Sequence, residues 1–280
     1  MHDLLHDDKL KALIGRMRSL PSVPQLYVEM MEEIKKPDTT FQSVAAIIAR
    51  DVGMTAKILQ MVNSAFFGFH RNITSAEHAV SVLGLRMIRS LVLTANIFSE
   101  FSGDKLVAFP IEGIMCHSIA AAGLGRILAK AQSKETAIIE DSFMAGMLHD
   151  AGKLVLADQL TAEYTRVYAL AREKAIPLCD AERELLGATH AEIGAHLMGL
   201  WGLPDTIVEA IAFHHRPSES HTPGFSAVTV VHVANIMEHR EHPDDEAIQP
   251  IDTAYLESLH MADRVEKWSE MCHVLARDGK

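Results

Sequence analysis

The sequence predicts an all-α protein folded as two helical lobes. Apolar residues recur at steps of three and four along most of the chain, and no period-two run is long enough to make a strand. Prolines and glycines fall between the periodic segments, where helices must stop. The chain has 280 residues, 48% of them hydrophobic, which at roughly 150 residues per domain is enough for two cores.

Residues 8–19 read as a first helix, stopped by Leu20-Pro21-Ser22-Val23-Pro24, because proline lacks the amide hydrogen that continues a helix. A second helix runs from about Gln25 to Lys36, ahead of Pro37. Thr39 or Thr40 can cap a third, reaching Arg50, and Met54 to Phe66 forms a fourth with Ile58, Met61, Val62 and Ala65 on one face. Asn63-Ser64 and Gly68 read as the end of that helix and its stop. Ser75 caps a helix ending near Leu83, Gly84 punctuates it, and Leu85 to about Phe101 carries a long apolar stripe. Ser102-Gly103-Asp104, followed by Pro110, marks the boundary between a lobe of residues 1–105 and one of residues 106–280. The second lobe is expected to hold helices over residues 111–131, 136–149, 151–175, 177–187, 189–201, 205–214, 225–240 and 252–277. Glu238 to Asp252, acidic and interrupted by Pro243 and Pro250, reads as an exposed loop.

Charge and composition exclude several function classes. Lys plus Arg is 26 against 37 Asp plus Glu, a net charge of −11 with no basic block, so nucleic acid is not an expected partner. No charged start leads into an apolar run, and no stretch approaches the roughly 18 uninterrupted apolar residues of a membrane span, which implies a cytoplasmic protein with no membrane partner. Cys116, Cys179 and Cys272 are odd in number and far apart, and read as buried thiols rather than a disulfide framework or zinc site. The fourteen methionines are expected to fill the core, and Arg86 and Arg89 to be solvated.

The chemistry lies in the sixteen histidines. His149-Asp150 places an imidazole and a carboxylate together at a helix end, where both can converge on one cation. His117 falls on the stripe Ile114, His117, Ala121, Leu124, Leu128, and His190 precedes Ile193, Gly194, Leu197 and Trp201 in the same way, so both point inward. His214 and His215 close another amphipathic helix, and Val228, Val231, His232 and Asn235 share a face of the next. Each buried imidazole without a partner costs about 1–3 kcal/mol, a penalty that a bound cation removes. Neutral imidazoles with a carboxylate suit Fe, Mn, Zn, Ni or Co, and six or seven ligands could hold one ion or two. His2, His6, His70, His78, His221, His239 and His242 read as surface residues.

The order His117, His149-Asp150, His190, His214-His215, Asn235 resembles the HD superfamily of metal-dependent phosphohydrolases over roughly residues 110–240. The resemblance implies that His117, His149, Asp150 and the position of Asn235 hold a metal, and that His190, His214 and His215 join them in a binuclear variant. It also implies catalytic roles for Asp150 and for Lys153, which would approach the bridging water or the substrate phosphate. Two departures stand out. The final ligand is an amide, Asn235, where the superfamily has an aspartate, and Arg216-Pro217-Ser218 replaces the Asp-Gly-x-Gly-Tyr-Pro continuation of the cyclic di-GMP phosphodiesterases.

Earlier motifs narrow the resemblance. Leu20-Pro21-Ser22-Val23-Pro24, Ile48 to Leu59, Val62-Asn63-Ser64-Ala65-Phe66-Phe67-Gly68, Ala79 to Leu85, Ala181-Glu182-Arg183-Glu184-Leu185-Leu186-Gly187 and Trp201-Gly202-Leu203-Pro204 resemble the HDOD family over about residues 18–215. That resemblance implies an N-terminal helical bundle packed on an HD-like domain, serving as a bacterial signal-transduction module with a protein partner. The 280 residues hold no receiver or diguanylate cyclase segment, so its input is expected to arrive by binding or through a separate partner. The function expected is a regulatory HDOD protein with a divalent-metal site (one or two ions of Fe, Mn, Ni or Zn) and with a phosphate-containing small molecule as a further partner. The alternative is an active phosphomonoesterase or phosphodiesterase acting on a nucleotide or other phosphate ester.

Overall fold

The computed structural model describes residues 8–69, 71–101, 106, 109–241 and 247–278, and among them the regular elements are all helical. Its contacts divide the chain into two compact units, one of Ser22–Ser102 and one of Met1–Pro21 with Gly103–Asp278. His2, His6, His70, His242 and the boundary residues Ser102-Gly103-Asp104 lie outside the described residues.

The smaller unit comprises α1's successors α2 (Gln25–Ile34), α3 (Phe41–Ala49), α4 (Val52–Val62) and α5 (Ala76–Glu100), α1 itself being Asp8–Ile14 in the larger unit. Thr40 caps α3 through a reciprocal box, its hydroxyl accepting from Ser43 N at 3.0 Å while its own amide donates to Ser43 Oγ at 3.1 Å. Asp51 accepts from Met54 N at 2.9 Å, so α4 starts at Val52 rather than Met54. That helix ends at Val62, not Phe66, and Asn63 does more than terminate it: its amide donates to Ile73 O at 2.8 Å and accepts from Ile73 N at 2.7 Å. Gly84, at φ 75° and ψ 165°, interrupts α5 with a conformation that side-chain-bearing residues avoid. Ile48, Ile58, Ile88 and Leu91 are fully buried where α3 and α4 pack on α5.

The larger unit holds α1, α6 (Ile111–Gln132), α7 (Thr136–Leu148), α8 (Ala151–Gln159), α9 (Thr161–Lys174), α10 (Leu178–Leu186), α11 (His190–Leu200), α12 (Asp205–Phe213), α13 (Ala227–Glu241), α14 (Thr253–Ser258) and α15 (Val265–Asp278). Helix α13 packs against α6, α7 and α12, while α8 lies against α11. Trp268 of α15 is buried in a cluster with Val233, Ile236 and Met237 of α13 and Leu124 and Leu128 of α6. The opening residues belong to this unit: Leu10 and Leu13 are buried, and Trp201 Nε1 donates to Pro21 O at 3.0 Å.

Several sequence expectations are corrected here. The first helix ends at Ile14, five residues short. The segment 151–175 is two helices, because Leu160 leaves helical geometry at φ −131° and ψ 43° with its side chain buried. The segment 252–277 divides into α14 and α15 around His260, which sits in the left-handed region at φ 56°. Glu238 is not in an exposed loop: α13 continues to Glu241, and Glu238 is buried. Cys116 is exposed rather than buried, whereas Cys179 and Cys272 are buried.

By length and composition α5 and α6 are apolar enough to cross a membrane. Their apolar faces serve the core instead. Gly84 breaks α5 into shorter pieces, and α6 carries Glu112, His117, Arg126 and Lys130.

Candidate metal centre

The His149-Asp150 pair occupies the corner between α7 and α8, His149 ending the first and Asp150 preceding the second. Two glycines bring the neighbouring helices to that corner. A Cβ on Gly146 would lie 2.6 Å from Ala122 Cα, so α7 sits in backbone contact with α6, which carries His117. A Cβ on Gly152 would lie 1.9 Å from His190 O, so the first turn of α8 touches the first residue of α11. Only glycine permits either approach. Asp150 is thereby flanked by His117 on one side and His190 on the other, while His214 and His215 follow α12 and Asn235 comes from α13.

Each of the five inner imidazoles is fixed through Nδ1 by an acceptor. His149 Nδ1 donates to Gly146 O at 2.7 Å, and His214 Nδ1 donates to Ile211 O at 2.7 Å. His215 Nδ1 donates to Gln249 Oε1 at 2.6 Å, an orientation locked because Gln249 Nε2 donates to His215 O at 2.7 Å. His190 Nδ1 donates to Glu182 Oε2 at 2.7 Å, and the same carboxylate accepts from His190 N at 2.9 Å and from the Tyr164 hydroxyl at 2.7 Å. His117 Nδ1 pairs with Glu238. With Nδ1 protonated, Nε2 is the ligand atom, and such backing is how proteins orient metal-binding imidazoles.

The Nε2 atoms converge. His117 Nε2 lies 3.1 Å from His149 Nε2 and 2.9 Å from Asn235 Oδ1, and His190 Nε2 lies 3.1 Å from His215 Nε2. Asp150 stands between the two groups, Oδ1 being 3.2 Å from His190 Nε2 and Oδ2 3.5 Å from His149 Nε2 and 3.8 Å from His117 Nε2. Lys153 Nζ donates to Asp150 Oδ2 at 2.9 Å. His214 Nε2 is buried without a hydrogen-bond partner. Candidate ligand atoms within 4.8 Å of one another form the groups His117/His149/Asp150, His190/His214/His215 and His117/Glu238/His239. A cation resolves both features, since it satisfies the orphaned nitrogen and the pairs of nitrogens that face each other.

The electrostatics agree with that arrangement. Burial opposes ionisation of Asp150, but His149, Lys153 and His190 outweigh it and hold the carboxyl well below its ordinary range. Burial pushes His149 down to about 4 and His214 and His215 well below the usual imidazole value, keeping them neutral. At His190 burial is overcome by the Glu182 and Asp150 carboxylates, which raise the imidazole to about 9.

All seven residues proposed as ligands from the sequence, with Lys153, meet in this one region. His232 does not join them: its Nδ1 donates to His214 O at 2.8 Å and its Nε2 accepts from Asp252 N at 3.0 Å. His239, expected at the surface with no role, is half-buried and stacks on His117 with ring centroids 4.1 Å apart, and burial pushes it down to about 3. Sequence reasoning also missed Glu182, Glu238 and Gln249 behind the imidazoles. Glu238 lies one helical turn past Asn235, a spacing that could have revealed it. Gln249 carries no sequence signal, being 34 residues from its partner His215. Beside the centre a small, partly open cleft is lined by Lys153, His190, His215 and Asn235, and by Pro177, Leu178 and Ile248.

The HDOD domain family matches residues 20–217. An uncharacterized protein of Treponema pallidum is 30% identical over 213 residues, which span 74% of this chain but 40% of that protein. Among solved structures, an HDOD domain protein of unknown function from Geobacter sulfurreducens superposes with a TM-score of 0.76 at 22% identity, over 96% of this chain and 95% of its own. A candidate phosphohydrolase of Shewanella amazonensis gives a TM-score of 0.73 at 23% identity, covering 98% of this chain and 97% of its own. At these identities the likeness is one of fold. The family match across both units, over a helical fold that HDOD structures share, makes this chain a member of the HDOD family.

Proposed function

We propose that this chain is a bacterial, cytoplasmic signalling module whose HD-like domain, residues 106–280, is built around a divalent-metal centre and whose output is recognition by a protein partner. The observation that carries this reading is the uniform treatment of five buried imidazoles: every Nδ1 is tied to an acceptor, and the Nε2 atoms of His117, His149 and His190 face Asp150. His117, His149 and Asn235 would hold one ion, His190, His214 and His215 a second, with Asp150 offering one carboxylate oxygen to each group. Fe, Mn, Ni or Zn suits such a nitrogen-rich set.

A second reading, hydrolysis of a phosphate ester, is favoured by Lys153. It is the lysine lining the cleft next to Asp150 and His190, placed to neutralise charge on a phosphoryl group. When bound, the ions would supply Lewis-acid polarisation of a phosphoryl oxygen and acidification of a water. The amide at Asn235 argues for the regulatory reading, because it removes one anionic ligand and one proton acceptor.

Elemental analysis by inductively coupled plasma mass spectrometry, on untagged protein purified without chelators, tests the proposal. One to two equivalents of metal are expected, lost in the His149→Ala, Asp150→Ala variant. Metal-free protein that stays folded in both forms overturns it. Turnover of phosphomonoesters or nucleotides by the metal-loaded chain, abolished by Lys153→Ala, would favour the second reading over the first.

A further inference from the structure

The ligand group around His117 has a neutral amide, Asn235, where a carboxylate would balance the ion. One turn further along α13, Glu238 reaches the opposite edge of the same imidazole and pairs with Nδ1, so His117 is held between Asn235 at Nε2 and a carboxylate at Nδ1. Glu238 is 9% exposed, and the His239 ring is stacked over His117 at 4.1 Å, which shields the pair from water. A carboxylate on the far edge of a ligating imidazole raises the basicity of the nitrogen that faces the metal, and the effect grows as water is excluded. The other flank of Asp150 is built the same way, with Glu182 behind His190. His149, His214 and His215, by contrast, are backed by neutral carbonyl oxygens.

We infer that Glu238 is a positioning residue that supplies, through His117, the negative charge that the amide at position 235 withholds from the metal centre. This inference rests on the metal-centre reading above. It makes positions 235 and 238 interchangeable in charge: one carboxylate suffices, on either side of the His117 ring. The first site of the centre then depends on Glu238, while the group around His190 does not.

The test is a titration of chelator-stripped full-length protein with Mn²⁺, read by calorimetry and by free-ion electron paramagnetic resonance. Four forms are compared: the natural chain, Glu238→Gln, Asn235→Asp and the double variant. Glu238→Gln keeps the shape and removes the charge, and is expected to weaken one Mn²⁺ equivalent 10- to 100-fold, the range typical of such outer partners, while sparing the other. Asn235→Asp is expected to restore most of that loss in the Glu238→Gln background and to add less in the natural one. Such rescue separates a charge effect from damage to the fold, which circular dichroism of the four forms also monitors. Unchanged Mn²⁺ affinity in Glu238→Gln, or a loss that Asn235→Asp does not recover, overturns the inference and leaves the metal centre standing. A natural chain that takes up no Mn²⁺ overturns the metal-centre reading and this inference with it.

Discussion

At the scale of single residues, the buried histidines divide into two kinds that one-dimensional spacing cannot separate. His214 and His232 are both fully buried, yet His232 has a partner on each ring nitrogen and His214 has one nitrogen with none. Replacing a fully partnered buried group strands its partners, whereas replacing one that is already unpaired relieves a desolvation penalty. In chelator-treated protein, His232→Leu is therefore expected to cost about 1–3 kcal/mol in urea denaturation, while His214→Leu is close to neutral. With metal present the order should reverse in metal content, His214→Leu losing ions and His232→Leu retaining at least part of its complement. Similar losses for both variants under chelation would show that the His214 nitrogen is not the strained atom it looks to be. Sequence periodicity placed both residues inward correctly. What it lacked was the identity of the atoms opposite His232, because His214 O and Asp252 N lie 18 and 20 residues away and approach through folding rather than through neighbouring sequence.

At the scale of elements, close helix contacts and loop clamps do the positioning. The α8–α11 contact at Gly152 is tight enough that a methyl group would meet His190 O. Gly152→Ala must push the two helices apart, with an expected loss of about 3 kcal/mol or more. It should also separate Asp150 from His190, so metal binding is expected to fall even at temperatures where the variant stays folded. A variant with unchanged melting temperature and metal content would contradict the contact. After α12, Glu209 clamps the returning loop, accepting from Ser220 Oγ at 2.9 Å, His221 N at 2.6 Å and Thr222 N at 3.1 Å. Burial works against the ionised carboxylate, but these donors prevail and lower its pKa. A lowered carboxylate stabilises fully above its unfolded value and loses that contribution as pH falls through its folded value. Glu209→Gln is thus expected to cost up to about 1 kcal/mol at pH 7, solvent screening reducing the charge contribution of a part-exposed carboxylate, and its stability should meet that of the natural chain in acid, below the ordinary carboxylate range. A gap that persists unchanged into acid would assign the loss to shape rather than to charge. The caps Thr40 and Ser75 were legible beforehand because capping is local in sequence, whereas the cap at Asp51 was missed. The breaks at Leu160 and His260 were not: each lies in a helix-compatible stretch and is imposed by burial of the flanking helices.

At the scale of the whole molecule, the candidate metal centre gathers side chains from α6, the α7–α8 corner, α11, the end of α12 and α13, so a bound ion would staple these elements together. An ion bound by the native fold and not by the unfolded chain stabilises by RT ln(1 + [L]/Kd), about 2.7 kcal/mol when free metal is one hundred times Kd. Chelation is therefore expected to lower the melting temperature of the larger unit by several degrees, and returning Mn²⁺ or Zn²⁺ should restore it in a concentration-dependent way. Differential scanning calorimetry with and without chelator checks this, and coincident curves would leave no role for metal in stability. The His149→Ala, Asp150→Ala variant should show the low melting temperature under both conditions.

The sequence by itself determined the all-helical class and the inward direction of His117, His190 and Asn235. These follow from local physics: a 3.6-residue period, proline and glycine punctuation, and polar groups on apolar faces. The ligand set around Asp150 was instead what the resemblance to the HD superfamily implied, since periodicity alone gives His232 and Asn235 the same face. Tertiary structure alone decided that residues 8–21 fold with the larger unit, that Glu238 is buried behind His117, and that Gln249 holds His215. Those outcomes depend on which distant segments become neighbours. Hydrogen bonds and charge pairs act over a few ångströms in space, and no pattern along the chain encodes a distance that only packing creates.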